Sequence, residues 1–170
     1  MMVSKRTALV TGASRGIGLA VARRLAAEGF ALTLAARRPE SLHEAAEELR
    51  ALGADVTAVP ADVSDEAQVE ALAGEHLRRH DALDVLALCA GTGSAGVLED
   101  FPVRRWDRQF AVNVRSAFLL VQRLLPALRT AAAAAVAGLS DDHARTATVA
   151  GRSDDQAGAA VVAGRRREGP

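Results

Sequence analysis

The chain has 170 residues, and its 21 basic and 21 acidic side chains leave a formal charge of zero. That balance offers no electrostatic footprint for nucleic acid or an anionic membrane surface, while the length suits a single domain with a sizeable core. Apolar residues make up 49% but aromatics only 3%, so the core must be built from Ala, Val and Leu.

In chain order, the first apolar run is Thr7-Ala8-Leu9-Val10, with a strand expected over 8–11. It leads into Thr11-Gly12-Ala13-Ser14-Arg15-Gly16-Ile17-Gly18, and a helical pattern follows from Gly16 to Glu28. A strand, a glycine-rich turn and a helix bring backbone N–H groups and the positive end of a helix dipole against a phosphate. Glycine is needed there where a side chain would hold the ligand off or where φ must be positive. Further strands are expected at 31–35, 55–59 and 84–88, alternating with helices at 40–52 and 65–80. In the first of these helices Leu42, Ala45, Ala46 and Leu49 recur at helical spacing. Ser64 is the expected N-cap of the next. A longer helix is expected over 103–129, with a local break near Pro126. Alternation of this kind implies βαβ units and a parallel sheet.

From residue 131 the composition changes to a polyalanine run followed by Ala, Gly, Asp, Arg and Ser, with Leu139 as the last leucine. Such a segment buries too little apolar surface to offset the entropy of ordering it. The expected division is therefore a domain at 1–130 and a disordered tail at 131–170, at most weakly helical around the alanines. No uninterrupted apolar stretch approaches the ~20 residues of a bilayer span. No signal core follows Met1 to Arg6, because Gly12 interrupts it. A lone Cys89 excludes an internal disulfide and a cysteine-rich zinc site. The expectation is a soluble cytoplasmic protein with neither a nucleic-acid nor a membrane partner.

Ordered matches then point to a family. The TGASRGIG turn with its G-x-x-x-G-x-G spacing, Asp62-Val63, Cys89-Ala90-Gly91 and Asn113-Val114 follow one another on the alternating pattern. From about residue 5 to 129 the chain resembles the classical short-chain dehydrogenases/reductases. The resemblance implies an α/β fold, a Rossmann-like doubly wound parallel sheet of strand order 3-2-1-4 that stops after the fourth strand's helix. It implies that Gly12, Gly16 and Gly18 line a pyrophosphate with Ser14, Arg15 and Ile17 beside it. Asp62 would accept from the adenine amino group with the Val63 backbone alongside, and Ala90 and Gly91 would lie against the ribose. Cys89 and Leu88 stand where the family commonly has asparagine, and Cys89 reads as a small apolar substitute without reactivity.

Cofactor choice is argued physically. An NAD enzyme places a carboxylate after the second strand to meet the adenosine 2′-hydroxyl. Here Ala36 is followed by Arg37 and Arg38, and Arg15 sits in the glycine loop. A 2′-phosphate would find guanidinium donors and no repelling acid, which favours NADP(H) over NAD(H). The competing reading makes Arg37 and Arg38 solvated residues at a helix start.

The family's chemistry moves a hydride between nicotinamide and a small alcohol or carbonyl compound. A tyrosine exchanges the proton, with a lysine four residues on, a serine, and a helix asparagine that Asn113 matches. This chain has no tyrosine. Family spacing lands on Ser140, Ser153 and Ala157, and the last two cannot replace tyrosine and lysine. Ser140 reads as coincidence, because no β-branched strand leads to it. Residues 131–170 are expected to be a truncated or out-of-register end, testable by translating the coding DNA in its other frames. The function expected is that of an NADP(H)-dependent oxidoreductase by descent whose activity is in question; the alternatives are an inactive dinucleotide-binding protein and a non-functional product. His76 and His80, four apart, have a spacing that could hold a metal, but a solvated helix face is the expected reading and no metal is assigned. Trp106 and Phe110 are expected to be core or interface anchors, so the helix over 103–129 could mediate self-association.

Overall fold

The computed structural model describes residues 5–146, with side chains through residue 137. Four parallel strands, β1 (Thr7–Thr11), β2 (Ala31–Ala36), β3 (Val56–Pro60) and β4 (Val85–Leu88), form one sheet in the order β3-β2-β1-β4. Thr7 pairs with Ala31, and Thr11 pairs with Ala35 on one side and Leu88 on the other. β1 and β2 are buried along their whole length, which explains why they read as continuous apolar runs and not as alternating ones.

Alternate side chains supply two cores, as the pleat requires. Ala8, Val10, Leu32 and Leu34 face α1 (Gly16–Ala27) and α2 (Pro39–Ala51), meeting Leu25, Leu42 and Leu49. Leu9 and Ala35 point the other way, toward Val69 and Leu72 of α3 (Glu66–Arg79) and Leu120 and Leu124 of the last helix. Helices on both faces thus hold the C-terminal ends of β1, β2 and β4 together, which is where an open α/β sheet presents its ligand site.

Three local details differ from the sequence reading. Asp65, not Ser64, caps α3: its carboxylate accepts from the Ala67 and Gln68 N–H groups at 2.9 and 3.4 Å. Ser64 is taken by Asp62, to which its hydroxyl donates at 2.7 Å. The long helix breaks not at Pro126 but earlier, into α4 (Val103–Phe110), a π turn (Ala111–Arg115) and α5 (Ser116–Thr146), which runs through Pro126. His76 is not on a solvated face: it is fully buried beside Val69, Leu72 and Ala73, and its Nδ1 lies 2.9 Å from the Thr33 hydroxyl. A spacing of 69, 72, 73 and 76 is one helical face, so the histidine follows its apolar neighbours inward.

The alanines from 131 continue α5, and residue 140 falls in that helix and not on a strand. Residues 147–170, which include Ser153 and Ala157, lie outside the described residues. The stretch Val103–Ala137 is long and apolar enough to cross a membrane by length and composition. One of its faces is packed, with Leu119, Leu120, Leu124 and Ala127 buried against the sheet and α3.

Candidate dinucleotide pocket

A cleft of about 510 Å³ opens at the C-terminal edge of the sheet. Every residue expected to touch a cofactor lines it: the loop from Gly12 through Ser14, Arg15, Gly16, Ile17 and Gly18, then Arg37 and Arg38, Asp62 and Val63, and Cys89, Ala90 and Gly91. Residues from four separate loops converge because parallel strands deliver them all to one end of the sheet.

The glycine loop explains its own composition. Gly12 has φ of 65° and Gly16 of 59°, in the left-handed region. Gly18 is required by contact: a Cβ there would stand 2.3 Å from the Gly12 carbonyl oxygen. Helix α1 therefore starts hard against the end of β1. Arg15, its N-cap residue, is extended, and no side chain caps the helix or places an acid in its first turn. The first N–H groups of α1 are left facing the cleft, an arrangement suited to a phosphate.

At the end of β2, Ala36 is buried and Arg37 and Arg38 follow on the exposed rim, with Ser41 joining the lining one turn into α2. Arg15 on the opposite lip makes three guanidinium groups around a region whose β2 end carries no carboxylate.

Asp62 closes the far side. Burial pushes its carboxyl up, but the Ser64 hydroxyl and N–H, together with the charges of Arg108 and Arg37, outweigh that and hold it below the usual aspartate range. Arg108 reaches it from α4 with Nη2 at 3.3 Å. Directly after β4, burial pushes the Cys89 thiol up, and the side chain packs against the core shared with α1 and α2. Its surroundings are those of a small apolar residue. The Ala90 N–H donates to the Thr11 hydroxyl at 3.1 Å, fixing β4 to β1 where the asparagine amide is absent.

Asn113 does not line the cleft. It sits in the π turn and clamps the backbone of Thr92, donating to the carbonyl at 2.8 Å and accepting from the N–H at 2.9 Å. Sequence reasoning missed Ser41, Thr92, Arg108 and Val112 as pocket residues. For Arg108 and Val112 a signal existed: they are four apart, hence on one helical face, just ahead of Asn113. His76 and His80 lie away from this cleft with ring centroids 5.1 Å apart. No group of three or more ligating side chains occurs among the described residues.

The model of the short chain dehydrogenase family matches residues 6–149. The chain is 42% identical over 129 residues to a rhamnolipids biosynthesis 3-oxoacyl-[acyl-carrier-protein] reductase of Pseudomonas aeruginosa, covering 76% of this chain and 50% of that one. Among solved structures, L-sorbose reductase from Gluconobacter frateurii complexed with NADPH and L-sorbose is similar at a TM-score of 0.72. That match has 34% identity and covers 75% of this chain and 49% of the other. A short chain dehydrogenase/reductase from Burkholderia phymatum in complex with NAD is similar at 0.70, with 35% identity over 73% of this chain and 44% of that one. The chain thus spans about half the length of the curated relatives it matches.

Proposed function

The chain belongs to the short-chain dehydrogenase/reductase family, and from that premise we propose that its cleft holds NADP(H) in preference to NAD(H). The carrying observation is the rim formed by Arg15, Arg37 and Arg38 beside Ala36, where an NAD site would offer an acid. The 2′-phosphate is met by guanidinium forks. The pyrophosphate rests on the uncapped start of α1, with Gly12, Gly16 and Gly18 leaving room for it and Ser14 and Ile17 alongside. Asp62 accepts from the adenine amino group beside the Val63 backbone, and Ala90 and Gly91 floor the ribose.

When bound, the nicotinamide supplies a hydride acceptor or donor for a small alcohol or carbonyl compound. What this chain's residues do is bind and orient. Asn113 fixes the strand end through Thr92. No tyrosine is present to exchange the proton, so in this reading the 170 residues bind the dinucleotide without completing turnover. The site lies within the segment 1–130, in the cytoplasm with the soluble enzymes of the family. Val103, Trp106, Phe110, Val114 and Phe118 form an exposed apolar stripe along α4, the π turn and the start of α5, which we assign to self-association.

Thermal denaturation with each dinucleotide tests the cofactor reading. NADPH at a hundredfold its Kd should stabilise the chain by about 2.7 kcal/mol, and NADH at the same concentration should do much less. Equal shifts would refute the NADP(H) preference. NADPH oxidation in the presence of small ketones would refute the absence of turnover.

A further inference from the structure

Asp62 is held from every side. Its Oδ1 accepts from the Ser64 N–H at 3.0 Å and the Ser64 hydroxyl at 2.7 Å. Its own N–H donates to Gln68 Oε1 at 2.8 Å. Its Oδ2 is reached by Arg108, 46 residues away on α4. The next arginine along, Arg115 in the π turn, donates to the Ser64 carbonyl at 2.7 Å. The α4 and π-turn segment therefore grips the β3–α3 turn at two points, while Asn113 between them grips the turn after β4. Both walls of the pocket's base end are tied to one short stretch of helix.

We propose that Arg108 is a positioning residue that makes the pocket selective for a purine carrying an amino group, by fixing the Asp62 carboxylate in place. The proposal rests on the dinucleotide reading above. A carboxylate locked in one orientation welcomes an N–H donor and repels a carbonyl oxygen. A carboxylate free to rotate evades the repulsion and discriminates poorly. Arg108 does not need to touch the ligand. It acts through Asp62, on the oxygen that Ser64 leaves open. Arg37 adds positive charge nearby but makes no hydrogen bond to the carboxylate among the described residues, so it does not set the orientation.

The test is calorimetric titration of the full chain with NADPH and with its analogue carrying unsubstituted purine, in which a hydrogen replaces the adenine amino group and N1 remains an acceptor. Wild type should prefer NADPH by about tenfold, the value of one hydrogen bond to a charged group. In Arg108→Met the preference should fall to about twofold, with Arg108→Lys in between. Arg104→Met, an exposed change on the same helix, should leave the ratio untouched. Equal weakening of both ligands in Arg108→Met would overturn the proposal, because the arginine would then be acting as bulk charge. Tighter NADPH binding would also overturn it, since Arg108 would then be obstructing Asp62. A wild-type chain that binds neither ligand would overturn the dinucleotide reading itself, and this inference with it. Melting curves of each variant confirm that a fold is present to titrate.

Discussion

Replacing Gly18 with alanine should damage this protein far more than replacing Gly16, although both belong to one motif. At Gly18 the added Cβ would lie 2.3 Å from the Gly12 oxygen, 2.7 Å from the Gly12 carbonyl carbon and 3.1 Å from the Thr11 oxygen. All three are backbone atoms, so no side chain can swing aside. Relieving the contact requires α1 to retreat from β1 by about 1 Å. That cost belongs at the upper end of overpacking penalties, about 3 kcal/mol, or a fall in melting temperature of about 9 °C. The same retreat draws the helix N-terminus away from the phosphate, so NADPH affinity should fall at least about tenfold. At Gly16 the new Cβ meets nothing within 4 Å, and only the φ of 59° is strained. That costs about 1 kcal/mol, or about 3 °C. Circular-dichroism melts of the two variants, followed by NADPH titration, settle the comparison. A Gly18→Ala chain melting within a degree or two of wild type, or a Gly16→Ala chain that suffers more, would refute the close-approach argument.

Other outcomes follow from the same geometry. Arg37→Ala should weaken NADPH by about tenfold and leave NADH nearly unchanged, as parallel titrations would show; equal losses would remove Arg37 from 2′-phosphate recognition. Leu120→Ala empties a fully buried position between α5 and α3 and should cost about 3 kcal/mol in denaturant unfolding; a loss under about 1 kcal/mol would mean that this face is not packed. His76 gives a pH signature. Burial first and His80 second lower its pKa to about 4, with the Ala82 backbone partly opposing them. The unfolded chain then binds the extra proton from the ordinary histidine value of 6.5 downward. The histidine's share of the stability should be constant above that value and fall by about 3 kcal/mol as the pH drops to about 4, below which the carboxylates held low in the folded state, Asp62 and Glu75 among them, carry the further decline. In His76→Leu the histidine's fall should be absent from the unfolding profile. Its persistence would assign the acid sensitivity elsewhere.

How much of this was legible in the sequence depended on how local the cause was. β1 and β2 announced themselves because both faces are covered, so eight of their eleven residues are apolar and the other three are threonine. The glycine loop was legible because the close approach of Gly18 to Gly12 and Thr11 lies within seven residues of chain. Neither the π turn nor the true cap of α3 could be read so simply. Ser64 and Asp65 are both good caps, and the choice was made by Asp62, which claims the serine. The helix break at 111–115 coincides with Asn113 binding the backbone of Thr92, 21 residues earlier, and no pattern inside the helix records that partner. Arg108 was missed for the same reason, because its counterpart Asp62 belongs to a different βα unit. His76 was a different failure. Its apolar register with Val69, Leu72 and Ala73 points inward, whereas the basic last turn of α3 around Arg78 and Arg79 points to solvent.

The central claim, that the arginine-rimmed cleft is an NADP(H) site, is tested most directly by calorimetric titration of the purified chain with NADPH. The account predicts saturable binding of one molecule per chain, tighter than that of NADH. Absence of heat at dinucleotide concentrations of about 1 mM, a level at which even a binding free energy of about −4 kcal/mol would register, would contradict it.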